Sequence, residues 1–232
     1  MRIGFEWGPT GAVAVAAPVT VVVDVLSFTT TLSVAVERGM TVYPFRWKDE
    51  RATAYAEERG AVLARGRSER TGVSLSPATV RAAEGVDRLV LPSPNGSAIS
   101  FALAETGVTV VGASLRNASA VARWVHEGGA DVAVVAAGER WPDGSLRPAV
   151  EDLWGAGAVI AALADLGATD LSAEARVAER AFRAAAFPDD LVACTSGQEL
   201  VDMGFPQDVA IAAEVDGSTV VPVLGGEAYR AG

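Results

Sequence analysis

Val19 to Asp24 reads VTVVVD, and this run constrains the fold more than any other stretch of the chain. An unbroken series of β-branched residues suits a strand covered on both faces, because a strand with one wet face alternates apolar and polar positions. A helical pattern follows. Small polar residues open the segment Ser27 to Arg38, Leu32, Ala35 and Val36 share a face, and Gly39 stops it. Thr41 to Phe45 is β-rich again. The same order returns further on, where LVLPSPNGSAISFALAETG (Leu89 to Gly107) aligns without gaps to VVVDVLSFTTTLSVAVERG (Val21 to Gly39), and Val108 to Ala113 supplies the next strand. A looser copy begins at Val132 (VAVVAAG), carries the insertion GERWPDGSLRPAV, and enters a helix at Glu151. Genuine duplication and shared strand–loop–helix architecture both fit this pattern.

Between these units, Lys48–Arg59 and Asn117–Glu127 read as amphipathic helices, Val62–Ala64 as a short strand, and Ser172–Ala185 as a further helix. Arg65 to Pro77 is a polar loop. In the tail, Asp216-Gly217 between AIAAEV and STVVPV signals a hairpin, with Asp208–Glu214 alternatively helical. Strands alternating with helices predict a three-layer α/β/α fold on a mostly parallel sheet, with two similar sub-lobes as a variant. No Pro- or Ser-rich linker divides the chain, so residues 1–232 are expected to form one α/β domain.

The formal net charge is -10, and arginine supplies every positive side chain except Lys48. That balance argues against nucleic-acid binding, which needs a basic face, but leaves a small anionic metabolite as a partner if arginine or a cation reverses the field inside a cleft. Cys194 and His126 are each the sole residue of their type, which excludes an intrachain disulfide and multi-histidine metal sites. His126 reads as a surface residue and Cys194 as a small buried one. The apolar stretch Gly11 to Val23 is broken by Pro18 and is too short to span a bilayer, so its second half is read as a strand. A cytoplasmic protein without membrane association is expected, and a homodimer is left open.

In parallel sheets ligands lie beyond the carboxyl ends of the strands. Three places put unusual polar residues there: Asp24 followed by Ser27, Thr29, Thr30 and Thr31; Asn95, Gly96 and Ser97 after the strand at Leu89–Leu91; and the pair Glu151-Asp152 opening a helix. Singly, each has a plain alternative as a helix cap or turn. Together, three carboxylates and several helix starts suit a hard cation plus an oxyanion. Mg²⁺ takes oxygen ligands and commonly binds one or two carboxylates plus a substrate phosphate. Asp24, Glu151 and Asp152 are therefore the candidate catalytic and metal-binding residues. Asn95, Ser97 and the amides of Gly96 and Thr29–Thr31 are candidates for holding phosphoryl oxygens. Arg65 or Arg67 would bind a second acidic group, Arg70 lies in the same loop, and Glu139, Arg140 and Asp143 belong to a candidate lid. Trp47, Trp124, Trp141 and Trp154 read as packing residues, Trp141 being the best candidate for a site wall. On this reading Asp24→Asn abolishes Mg²⁺-dependent phosphate release and leaves the fold intact.

These residues also carry a resemblance. VVVDVLSFTTTLSVAVERG, SPNGS (Ser93 to Ser97), GASLRNASAV (Gly112 to Val121), the segment Ala136 to Gly157, and Gly204, Asp208 and Pro222 resemble, in order and spacing, motifs of the 2-phosphosulfolactate phosphatase family. The resemblance spans about Val19 to Pro222. It implies an α/β fold and a Mg²⁺-dependent acid phosphatase releasing phosphate from 2-phospho-3-sulfolactate, with Asp24, Glu151 and Asp152 at its acidic motif positions and Asn95 and Gly96 in its turn. Ser27 stands where the family pattern has Arg, and Arg65-Gly66-Arg67 where it has Gly-Glu-Arg. The family's Asn after Gly72 and its His near Gly197 are also absent. Two further readings stay open: a hydrolase for another small acidic metabolite, and a non-catalytic anion-binding homologue.

Overall fold

The computed structural model describes residues 1–232 apart from Ala16, Trp47, Lys48, Asp49, Arg70, Thr71 and Glu105 and the side chain of Ser68. The strands are β1 (Arg2–Trp7), β2 (Val19–Val23), β3 (Thr41–Phe45), β4 (Val62–Leu63), β5 (Arg88–Pro92), β6 (Thr109–Ala113), β7 (Val132–Ala136), β8 (Glu139–Arg140), β9 (Leu146–Arg147), β10 (Asp170–Leu171), β11 (Pro222–Gly225) and β12 (Ala228–Ala231). The helices are α1 (Gly8–Ala14), α2 (Phe28–Glu37), α3 (Glu50–Glu58), α4 (Pro77–Ala82), α5 (Gly96–Ala104), α6 (Ala118–Gly128), α7 (Val150–Asp165), α8 (Ala173–Ala184), α9 (Asp189–Ala193), α10 (Thr195–Asp202) and α11 (Pro206–Ala212).

Among the described residues, ten strands form one sheet in the order β10-β1-β7-β2-β6-β11-β12-β3-β5-β4, and β8 and β9 form a separate two-stranded sheet. The strand at Val19 is buried at all five positions, as its unbroken apolar run requires. Alternate side chains feed two cores. Val21 and Val23 pack with residues of α6, α7 and α8, and Val22 packs with residues of α2 and α5. This is the three-layer α/β/α arrangement the sequence predicts. The helix spacings hold within a residue or two, except that Lys48 and Asp49 of the segment before α3 lie outside the described residues.

Two features depart from the sequence reading. Arg2–Trp7 is a strand, and Gly8–Ala14, the start of the apolar stretch, is a helix opened by Pro9. In the tail, Pro206–Ala212 is helical, as the alternative for Asp208–Glu214 has it, and the hairpin falls not at Asp216-Gly217 but later, between β11 and β12. Alanine at positions 210, 212 and 213 favours the helix locally, and the Gly226-Glu227 turn, with Gly226 at φ 61°, supplies the reversal.

That hairpin shapes the site. The block β10-β1-β7-β2-β6 is parallel, and so is β3-β5-β4, but β11 and β12 join them through antiparallel pairings. The two parallel blocks therefore run in opposite directions, and the carboxyl ends of β2 and β5 start at opposite edges of the sheet. Strand twist of roughly 20–25° per step accumulates over the intervening strands and folds these diagonal corners toward one another. Their meeting is recorded by the Gly96 N–H, which donates to Asp24 Oδ2 at 2.8 Å.

Candidate active site

Asp24 follows β2 and is buried. Its Oδ1 accepts from the Phe28 N–H at 3.0 Å, and its Oδ2 accepts from Gly96 at 2.8 Å and from the Ser93 hydroxyl at 3.5 Å. The close approach explains the glycine at position 96: a Cβ there would lie 2.7 Å from the Asp24 Cβ and from a ring carbon of Phe28. Asp152, in the first turn of α7, braces the same region. Its Oδ1 accepts from Val25 N–H at 2.7 Å and its Oδ2 from Gly138 N–H at 2.8 Å. Glu151 beside it is 2% exposed, with the Ser196 hydroxyl favouring its ionised form.

A fourth carboxylate joins this group. Glu139, at the start of β8, has Oε2 held by Asn95 Nδ2 at 2.9 Å. It is only partly buried, unlike Asp24, Glu151 and Asp152. From sequence alone Glu139 belongs to a candidate lid rather than to the acidic group, because it sits inside a polar insertion.

Crowding of carboxylates away from water has a predictable effect on proton affinity. Desolvation raises Glu139 to about 7, reinforced by the charges of Asp24 and Glu151 and opposed by Asn95 and Arg147. Burial raises Asp24 above the ordinary carboxylate range despite the N–H groups of Gly96 and Phe28. Asp152 stands well above that range, first from desolvation and then from the charges of Asp24 and Glu151. Glu151 is raised chiefly by burial. The rim is thus an excess of negative charge that favours protons or a cation.

The hydroxyls at the helix starts are otherwise engaged. Those of Thr29, Thr30 and Thr31 donate to the carbonyls of Asp24, Val25 and Leu75, each at 2.7 Å, and the N–H groups of Thr29 and Thr31 bond to Asp24 and Ser27 carbonyls. Ser97 Oγ donates to main-chain carbonyls of Phe45 and Leu91 and accepts from the Phe45 N–H. The N–H groups of Thr30, at the start of α2, and of Ser97 and Ala98, in the first turn of α5, have no partner among the described residues. Ala98, Asn95, Glu139, Arg140 and Trp7 line a cavity of about 220 Å³ under the β8–β9 hairpin. Trp141, the expected site wall, is 51% exposed, with Arg147 5.7 Å from its ring, and Trp7 takes the wall position. Another cavity, of about 310 Å³, opens beside Arg2, Asp131 and Ser172 at the opposite ends of β1 and β7. It lies away from the acidic rim and holds none of its carboxylates.

The arginines of the polar loop separate clearly. Arg65 is exposed and pairs with Glu69 at 2.8 Å. Arg67 reaches inward, where its Nη2 donates to Ser27 Oγ at 2.6 Å and its Nε pairs with buried Asp208 at 3.0 Å. It therefore places a guanidinium against Ser27, the position at which the resembled pattern has Arg. Arg70 lies outside the described residues. Cys194 is buried, with its thiol pushed up to about 12 by desolvation and by Glu151, and His126 is exposed on α6.

The hydrogen bonds of Asp24 change one expectation. Asp24→Asn would set an amide N–H₂ against either the Phe28 or the Gly96 N–H, so the fold does not pass untouched. A loss of about 1–3 kcal/mol is expected from the donor left unpaired, measured as a shift in urea midpoint. An unchanged midpoint would show that these two amides do not depend on the carboxylate.

Fold and rim together are those of an α/β protein with an acidic, amide-lined site built from strand ends. The chain belongs to the 2-phosphosulpholactate phosphatase family, whose model matches residues 10–227. It is 33% identical over 222 residues to a probable 2-phosphosulfolactate phosphatase of Thermus thermophilus, covering 92% of this chain and 90% of that one. A protein of the same name from Deinococcus radiodurans is 32% identical over 216 residues, covering 89% and 87%, and one from Carboxydothermus hydrogenoformans is 31% identical over 210 residues, covering 87% and 84%. Membership places the chain among phosphomonoester hydrolases. Among the described residues, no helix is long and apolar enough to cross a membrane.

Proposed function

We propose that this chain is a Mg²⁺-dependent phosphatase that hydrolyses 2-phospho-3-sulfolactate, or a closely related phosphorylated hydroxy acid, to the hydroxy acid and phosphate. The observation that carries the reading is the meeting of Asp24, Glu139, Glu151 and Asp152, from three separate chain segments, beside unpartnered amides at the start of α5.

Mg²⁺ fits the chemistry of this donor set in its sparse form. Among the described residues, no three acidic, Cys or His side chains converge closely enough to cage an ion. Mg²⁺ does not need such a cage, since one or two carboxylates, water and substrate oxygens suffice. Asp24, Glu151 and Asp152 would hold it directly or through water, relieving the charge that raises their proton affinity. When bound, it supplies neutralisation of phosphoryl charge and a lowered pKa for the attacking water.

The remaining roles belong to the chain. The Ser97 and Ala98 amides and Asn95 would hold phosphoryl oxygens at the positive end of α5. Glu139, the carboxyl that lines the cavity, would give its proton to the ester oxygen as the phosphorus–oxygen bond breaks. Arg67, neutralised by Asp208, keeps Ser27 and the turn after Asp24 in place.

Phosphate release from 2-phospho-3-sulfolactate, followed with Mg²⁺ and with a chelator in its place, tests the proposal. Release that requires Mg²⁺ is expected. No release from this or any small phosphorylated acid, or equal release in chelator, would contradict it. Release confined to non-sulfonated esters would keep the reaction and change the substrate.

A further inference from the structure

We infer that Arg140 is the residue that selects an acidic substrate, by holding the carboxylate or sulfonate that is not cleaved. The inference rests on the phosphatase reading and assigns the second charge of its substrate. Such a substrate is a phosphomonoester with at least one further anion, and that anion needs a cation close to an acidic rim. Arg65 and Arg67 are both committed, to exposed Glu69 and to buried Asp208. Arg147, on the neighbouring strand, pairs with Glu199 at 3.3 Å. Arg140 differs from all three. It lines the cavity of about 220 Å³ together with Asn95 and Glu139. Its Nη1 donates to the Gly144 carbonyl at 3.1 Å and its Nη2 to the Pro94 carbonyl at 3.4 Å. It has no carboxylate partner among the described residues. The carbonyls orient the guanidinium without cancelling its charge, and a guanidinium fork matches the geometry of a carboxylate or other oxyanion.

One cavity thus carries every kind of group that such a substrate needs: Asn95 and Ala98 for the phosphoryl oxygens, Glu139 for the ester oxygen, and Arg140, its chain neighbour on β8, for the acid group. Charge-assisted hydrogen bonds of this kind are lost on truncation at a cost of roughly 10–100-fold in affinity.

The test compares Arg140→Ala and Arg140→Lys with the unaltered chain. Steady-state kinetics are measured on 2-phospho-3-sulfolactate and on glycerol 2-phosphate, which lacks the second anion. Calorimetry measures binding of 3-sulfolactate and of inorganic phosphate, which needs no turnover. For Arg140→Ala, KM for the sulfonated ester should rise roughly 10–100-fold more than KM for glycerol 2-phosphate. The Kd for 3-sulfolactate should weaken by a similar factor relative to that for phosphate. Lys should restore part of both, because it keeps the charge and loses the fork. Equal changes for the two esters and for the two ligands would overturn the assignment and move Arg140 to the phosphoryl group. No change in any of the four would remove it from the site. If the unaltered chain released phosphate from neither ester, the phosphatase reading would fail, while the calorimetric comparison would still decide the role of Arg140.

Discussion

Glu139→Gln should lower phosphate release from an alkyl ester by about 10²–10⁴-fold while sparing p-nitrophenyl phosphate, whose phenolate leaves without a proton. The amide keeps the shape of the side chain and can still accept from Asn95, which holds Glu139 at 2.9 Å. What it loses is the proton. The sign of the pH dependence follows from the upward shift to about 7. A general acid works while protonated, so the unaltered chain should hold its rate on the alkyl ester at low pH and lose it roughly tenfold per unit above the Glu139 pKa, which is about 7 without a cation and falls when Mg²⁺ neutralises Asp24 and Glu151. The Gln variant should show no such limb. Equal loss on both esters, or a pH limb that survives the substitution, would assign Glu139 to positioning alone.

Asp208→Ala is the substitution expected to cost most in stability. Asp208 is fully buried, accepts from Arg67 Nε at 3.0 Å and from Ser76 Oγ at 2.5 Å, and so ties the polar loop to α11. Removing it leaves a mostly buried guanidinium without a carboxylate, a change that costs about 3–5 kcal/mol in buried pairs. The Arg67 side chain is 16% exposed, so solvent relieves part of this and the lower end is expected. Urea unfolding reads the loss directly. Adding Arg67→Met to Asp208→Ala should recover part of it, since the orphaned charge is then gone. A loss below about 1 kcal/mol for Asp208→Ala alone would mean that Arg67 finds water on its own.

Much of the molecule was legible because its strands announce themselves. VTVVVD and VAVVA are buried on both faces and could be little else, and Thr41–Phe45 has the bounds its pattern predicts. Arg2–Trp7 carries the other strand signature, Ile3, Phe5 and Trp7 alternating with Arg2, Gly4 and Glu6, and a reading keyed to unbroken β-branched runs passes over it. The opposed direction of the two parallel blocks also escapes local pattern. It depends on where the β11–β12 hairpin inserts, a pairing between residues more than a hundred positions apart.

The site divides in the same way. Asp24, Asn95, Glu151 and Asp152 stood out because polar residues directly after apolar strands or at a helix start have few reasons to be there. Thr29, Thr30, Thr31 and Ser97 carried the same signal, yet their hydroxyls serve backbone carbonyls, a distinction that needs coordinates. Glu139 shows locally only as part of a polar insertion, which points to a lid. Its environment comes from Asn95 and from the charges of Asp24 and Glu151, none of them its sequence neighbours. Arg65 and Arg67 look alike in sequence, and only the course of the loop sends one to solvent and the other to Asp208.

The central claim is that the carboxylate rim and the start of α5 share one ligand. A crystal grown with Mg²⁺ and inorganic phosphate would test it most directly. The account predicts an ion at about 2.0–2.1 Å from an oxygen of Asp24, Glu151 or Asp152, with phosphate oxygens on Asn95 and the Ser97 and Ala98 amides. Phosphate and metal bound instead beside Arg2 and Asp131, with the rim carboxylates touching neither, would contradict it.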